Sequence, residues 1–343
     1  MSFKNSIFAA HYRKKVRHSE RIYSTNSVWW QRMLLLLFTI HYSLFTVSQE
    51  SQTAYNFLRL PVSAHVAALG GDNITLVEDD ATLIFHNPAL INDVSDRTIN
   101  LNLMTYMEGT MTASAAFLRA AGERGSWGVA AQYMDYGKMK ETTADNIVLG
   151  DFSARDIALA GTYAYALSER IVGGVTARIV SSHIAGYSSL AVGVDLGLNY
   201  YVEDSELSIS AVAKNLGGQV KAYADDFERM PFDLQLGISK RLLNSPIRLT
   251  ATLTRLTDWS QGFGKHLAIG ADVSLSQSFY LAAGYNFRRA SEMKISDGDG
   301  SSAHGAGLSL GAGLQLQRLK LHVAYGKYHV SSSSILVNLA YSL

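Results

Sequence analysis

Residues 232–240 read FDLQLGISK, and their rhythm decides the fold. Phe232, Leu234, Leu236 and Ile238 are apolar; Asp233, Gln235, Gly237 and Ser239 between them are polar or small. Successive side chains of a strand point to opposite faces, so this is a strand with one apolar face and one polar or small face. The next two segments repeat it. Ile247, Leu249, Ala251 and Leu253 alternate with Arg248, Thr250, Thr252 and Thr254, and Leu267, Ile269, Ala271 and Val273 alternate with His266, Ala268, Gly270 and Asp272.

Outward from there, the pattern predicts fourteen strands, starting near Thr98, Thr110, Gly125, Phe152, Arg170, Ser188, Glu206, Phe232, Pro246, Lys265, Ser278, Gly305, Arg318 and Ser334. Most are about nine to thirteen residues long, more than the average strand and close to the length that crosses a bilayer at a tilt. Short turns are expected after even-numbered strands, at 167–169, 203–205, 244–245, 276–277 and 317. Long loops are expected after odd-numbered ones, at 137–151, 182–187, 217–231, 258–264 and 289–304. That asymmetry belongs to a 14-stranded antiparallel transmembrane β-barrel over 98–343, with both ends periplasmic and the long loops extracellular.

The two faces then acquire meanings. Leu190, Val192, Val194, Leu196 and Leu198 are expected to face lipid, and Tyr200, Tyr201, Phe279, Tyr285, Phe287, Tyr325 and Tyr328 sit near strand ends, where an interfacial aromatic girdle belongs. The lumen face is mostly Gly, Ala, Ser, Thr and Asn, with charges such as Asp195, Asp272 and Lys320. A soluble double-sheet sandwich is the alternative, but no amphipathic helix is found beyond the N-terminus. The last strand alternates through Ile335, Val337, Leu339 and Tyr341 to Leu343, as barrel proteins commonly finish.

Residues 1–48 carry seven of the 30 Lys and Arg and one of the 29 acidic residues, and a 15-residue apolar run from Met33 to Val47 precedes Ser48. This reads as a secretory signal with an extended basic front; the run is short for a spanning helix. The remainder is net acidic, which gives no support to nucleic-acid binding. With no Cys, disulfides and thiolate metal sites are excluded.

Residues 49–97 break the alternation. Their centre, LRLPVSAHVAALGGDNITLVEDDATLIFHNPAL at 58–90, holds two of the four prolines, the Gly70-Gly71 pair and the acids Glu78, Asp79 and Asp80, yet is rich in Ala, Leu, Val and Ile. Proline and paired glycines dictate several tight turns, and the apolar content dictates burial. We read it as a hatch in the lumen. Asn87 is expected to cap its own turn with Pro88 fixing φ, and Asp79 and Asp80 to pair with lumen Arg or Lys, since unpaired buried charge is costly.

Hatch and strands together resemble the FadL-type barrels and, within them, the PorV/PorQ family of the type IX secretion system, most of all PorQ. The residues that carry the resemblance are Ser63-Ala64, Ala68-Leu69-Gly70-Gly71, Asp79-Asp80-Ala81, Asn87-Pro88-Ala89, the stretch 151–156 with 158–165, and Lys214-Asn215-Leu216-Gly217. The resemblance implies a non-enzymatic outer-membrane anchor that holds a PorZ-like surface protein, in a complex that also contains PorU and PorV. The partner-binding loops would then be 137–151, 217–231 and 289–304, with Tyr223, Asp225, Asp226, Phe227, Glu228 and Arg229 suited to a protein interface. The rival reading, also implied by the resemblance, is a FadL-like transporter of hydrophobic small molecules past the hatch.

Other motifs carry little. Ser291 to Lys294 spells S-x-x-K, but no K-T-G accompanies it. Residues 297–301 lack the glycine spacing and the twelfth-position Glu of a calcium loop. The ten histidines show no H-E-x-x-H spacing, and no phosphate-binding glycine loop is present. No cofactor is expected.

Overall fold

A computed structural model of the chain describes residues 53–343, apart from 108, 144, 146, 260, 261, 294, 298, 299, 303, 304 and 331. The expected secretory segment and the first residues of the hatch lie outside the described residues. Fourteen strands close a barrel: β1 (Thr98–Thr105), β2 (Met111–Ala121), β3 (Gly125–Thr142), β4 (Val148–Ala166), β5 (Ile171–Ile184), β6 (Tyr187–Val202), β7 (Leu207–Lys221), β8 (Asp233–Arg241), β9 (Ile247–Leu253), β10 (Leu267–Ser274), β11 (Phe279–Asn286), β14 (Leu308–Gln315), β15 (Leu319–His329) and β16 (Ser332–Ser342). The two strands between β11 and β14, β12 (Ile295–Asp297) and β13 (Gly300–Ser302), form a separate short hairpin. Every barrel strand pairs antiparallel with its chain neighbours, and β1 closes on β16 in the register Thr98↔Ser342 to Met104↔Leu336.

The alternation works as the sequence predicts. On β6, Leu190, Val192, Val194, Leu196 and Leu198 all point outward, while Ala191, Asp195 and Asn199 are buried in the lumen. An outer wall of Leu, Ile and Val is stable only where lipid replaces water, so the fold is that of a transmembrane barrel.

Two expectations need correction. The loops expected at 137–151 and 182–187 are largely strand. β3 and β4 continue pairing through Lys138↔Ser153 and Thr142↔Val148, and β5 and β6 turn at residues 185–186, with Ala185 at φ 52°. Alternation fades in Gly137–Thr142 because both faces there meet a polar medium, so the pattern, and not the pairing, stops. The long connections are 222–232, 254–266 and 287–307. Second, Tyr201 and Tyr328 do not join the outer aromatic positions. Tyr201 shares the inward parity of Asn199, and Tyr328 shares that of Ala324 and Gly326, with Arg289 lying 4.4 Å over its ring.

The hatch fills the lumen. It comprises a 3-10 turn (Asn56–Arg59), a one-turn helix (Ala64–Ala68) and two further 3-10 turns (Ala81–Phe85 and Pro88–Asp93), each short because Pro, Gly or an Asx cap interrupts it. Val66, Leu69, Leu76, Leu83 and Leu90 pack with Met104, Tyr280, Ala324 and Leu336 of the wall. Phe57 and Leu58 pack with Met134, Val180 and Met230, and Ile84 and Ile91 with Ala116, Leu118 and Ala164. At about 1.5–3 kcal/mol for each fully buried Leu, Ile or Phe, this apolar filling is the main force seating the hatch.

Candidate functional site: the hatch and the wall it touches

Both the Gly70-Gly71 and the Asn87-Pro88-Ala89 motifs of the hatch press closely on glycines of the wall. Gly70 and Gly71 hold φ of 105° and 97°, a turn that a side chain would strain. The turn rests on Gly270 and Gly284, which face each other across β10 and β11. A Cβ on Gly284 would stand 2.2 Å from the Leu69 carbonyl carbon. Asn87, Pro88 and Ala89 rest in the same way on Gly174 and Gly197, paired across β5 and β6; a Cβ on Gly174 would stand 2.4 Å from the carbonyl carbon of Pro88. Asn286 then donates to the Gly70 carbonyl (3.0 Å) and Asn338 to that of Val62 (2.9 Å).

Three motif residues are caps. Ser63 Oγ accepts from Val66 N, Asp80 Oδ1 from Thr82 N (2.9 Å), and Asn87 Oδ1 from Ala89 N (3.0 Å). Asn87 also donates to the Ile74 carbonyl (3.0 Å), and His86 Nε2 accepts from Ser63 N (3.1 Å), tying the turns together. Burial, then the nearby Lys214 charge, hold His86 well below its usual range, as an acceptor nitrogen requires. Asn87→Ala removes both bonds and is expected to lower stability by about 1–2 kcal/mol, read as an earlier unfolding midpoint in urea.

The acidic run is fully used, with Asp79 as the sequence indicated and Asp80 otherwise. Asp79 pairs with Lys320, whose Nζ also donates to the Asp79 carbonyl (2.6 Å). Among the described residues Asp80 pairs with no Arg or Lys; it caps, accepts from Ser63 and Thr82 hydroxyls, and lies 3.7 Å from His322. Glu78 does the heavier electrostatic work. It meets His65 Nδ1 (2.7 Å) and Arg248 (3.2 Å), while Arg248 also meets Asp272 (2.8 Å). His65 stacks on Tyr280 at 3.9 Å, and its Nε2 stands 3.8 Å from Asp272. Burial acts to lower His65, but Glu78 outweighs it and the group is pushed up to about 9, so the imidazole is cationic at neutral pH.

A second constellation lies in the wall between β6 and β7. Val194 pairs with Leu216 and Leu196 with Ala213, so Lys214 and Asn215 together oppose Asp195: a bulge, with Asn215 at φ 58°. Asp195 accepts from Asn215 N (2.7 Å) and pairs with Arg178, which also donates to Asn215 Oδ1 (2.8 Å). Beside the bulge Gly193 faces Gly217, and inside the wall at that point lies the Met230 side chain, 3.1 Å from where a Gly193 Cβ would be. Outside, the wall forms an apolar concavity of about 990 Å³, lined by Phe117, Val129, Leu159, Ile179, Val192 and Val194.

The partner-loop candidates divide. Asp225, Asp226 and Phe227 are exposed on the 222–232 connection. Tyr223 turns in and donates to Ser182, while Arg229 keeps an exposed side chain and its carbonyl accepts from Ala54 N of the hatch (3.0 Å). The ionic centre, the glycine pairs and the Arg178 cluster were not assigned a role from the sequence. Arg248 and Asp272 were visible there as charges on the polar face of adjacent strands, which is the one signal that pointed to them.

No protein-family model matches the chain, and no curated protein matches it in sequence. Solved structures match the fold. A FadL homologue of Pseudomonas aeruginosa is 14% identical over 83% of this chain and 99% of its own, with a TM-score of 0.53. The CymD monoaromatic hydrocarbon channel is 15% identical over 82% of this chain and 97% of its own, at a TM-score of 0.55. The toluene transporter TodX of Pseudomonas putida is 14% identical over 82% of this chain and 97% of its own, at 0.52. At such identities the likeness is one of fold.

Proposed function

We propose that the protein is a non-enzymatic outer-membrane channel for small apolar molecules, which cross the wall at the β6–β7 seam while the hatch closes the lumen to water and ions. The seam carries this reading. It joins an apolar concavity on the lipid side to a stretch of wall without side chains, Gly193 and Gly217, with the flexible Met230 behind it. The bulge interrupts the ladder there, and Asp195 takes up the Asn215 N–H while Arg178 holds the Asn215 side chain. The hydrocarbon channels that share the fold support the same class of cargo. In this reading the chain ends face the periplasm and the 222–232, 254–266 and 287–307 connections face outward.

Gly193→Val tests it. The added side chain starts 3.1 Å from the Met230 methyl and narrows the seam, so toluene permeation into proteoliposomes should slow about tenfold, a barrier rise of only about 1.4 kcal/mol. Unchanged permeation through a folded, heat-modifiable variant would refute the seam route.

One observation favours a second reading. Ile147, Val148 and Leu149 at the β3–β4 tip are 60%, 55% and 64% exposed, and Phe227 is 65% exposed, apolar side chains placed at a strand tip and on a connection. In that reading the tip and the 222–229 strap hold a PorZ-like surface protein, alongside PorU and PorV, as a PorQ-type anchor would. Recovery of a stoichiometric surface protein from gently solubilised membrane, lost when 143–149 is shortened, supports the anchor; permeation without such a partner supports the channel.

A further inference from the structure

A polar cavity of about 130 Å³ opens between the hatch and the barrel end that carries the long connections. Its lining sets five cations, Arg59, Lys214, Arg255, Arg288 and Arg289, against three carboxylates, Asp72, Asp233 and Glu292. The carboxylates are already engaged by groups of the lining itself. Asp233 accepts from Arg255 N and Gln235 (both 2.6 Å), Asp72 accepts from Asn286 (2.8 Å), and Glu292 takes Arg288 (2.5 Å). Three buried guanidinium nitrogens remain without a hydrogen-bond acceptor among the described residues: Arg59 Nε, Arg288 Nη1 and Arg289 Nη1. Arg288 and Arg289 are each more than nine-tenths buried. The crowding is felt in the hatch, where burial and then the Arg255 charge draw Arg59 down to about 10.

We propose that this cavity binds a phosphate group, free or carried on a lipid headgroup, held between Arg59 of the hatch and Arg288 and Arg289 of the wall. A buried excess of cations is costly unless an anion neutralises it. Among the lining side chains the excess is two, which a phosphate carrying about −1.5 to −2 at neutral pH balances. Guanidinium groups present planar forks that match phosphate oxygens, and unfilled donors on three of them give the ligand its bonds. The volume suits one phosphate group, so the glycerol and chains of a lipid would lie outside it. Arg255 and Glu292, only partly buried, stand on its open side. The bound group would tie the hatch to the connection that follows β11.

The test is thermal unfolding of the purified full chain in neutral detergent, at constant ionic strength, with chloride exchanged for inorganic phosphate. Saturating phosphate should raise the midpoint by about 2 °C or more. Arg59→Gln should abolish that rise, yet be at least as stable as the parent in chloride, because it relieves cation repulsion; a purely structural Arg59 predicts the opposite. A second arm uses nanodiscs of phosphatidylcholine with or without phosphatidic acid. A rise with inorganic phosphate assigns the site to the free ion, and a rise only with phosphatidic acid assigns it to a headgroup. No Arg59-dependent rise in either arm, or an equal effect of chloride, overturns the proposal.

Discussion

Gly284→Ala is expected to unseat the hatch. The new Cβ would stand 2.2 Å from the carbonyl carbon of Leu69 and 2.4 Å from the nitrogen of Gly70, and neither backbone atom can rotate aside. Gly70 and Gly71 already occupy positive φ, so the turn has little room to re-form elsewhere. Overpacking a well-filled core costs about 1–3 kcal/mol and sometimes more; contact against backbone places this substitution at or beyond the upper end. Gly174→Ala should act alike at the other seat, through Pro88 and Ala89. Gly161→Ala is the matched control, since nothing lies within 4 Å of its Cβ. Urea midpoints and protease access to 58–90 read the outcome. If Gly284→Ala unfolds and resists protease like Gly161→Ala, the turn is not held by the glycine pair.

The contrast between those glycines explains what the sequence discloses. All three sit in strands of the same alternating type; parity tells that Gly161 faces outward and Gly174 and Gly284 inward, but not that only the last two meet hatch backbone. The barrel itself was readable because lipid on one side and packed hatch on the other impose period two on every strand, and the starts of β1, β3 and β16 fall within two residues of expectation. Asn87-Pro88 and Gly70-Gly71 were readable because their chemistry is local. What they dock against was not. Gly270 meets Gly284 through the β10–β11 register, and Glu78 meets Arg248 across 170 residues of chain; such pairings exist only once every strand is in register. The β3–β4 extension was missed for the opposite reason: pairing continues after the burial contrast that signals it has gone.

Raising the pH should loosen the hatch through His65, and Glu78→Gln should weaken that dependence. His65 is pushed up from 6.5 to about 9, mainly because the Glu78 carboxylate overcomes the cost of burial. A folded pKa above the ordinary value means the stabilisation is complete below pH 6.5 and is lost as pH climbs through about 9. That rise corresponds to about 3 kcal/mol. His86 has the opposite sign: held low because it is buried and accepts from Ser63 N, it destabilises the fold as pH drops below 6.5. The two histidines therefore set a maximum near pH 6.5, with the alkaline limb belonging to His65. In Glu78→Gln the imidazole loses its counter-charge and Arg248 keeps only Asp272, so stability at pH 7 should fall by about 3 kcal/mol while the limb between pH 6.5 and 9 flattens. The acid limb, which depends on His86, should keep its slope. Urea midpoints from pH 5 to 10 for both proteins separate these effects, and an alkaline limb of equal steepness in the two would show that the Glu78 carboxylate is not what keeps His65 charged.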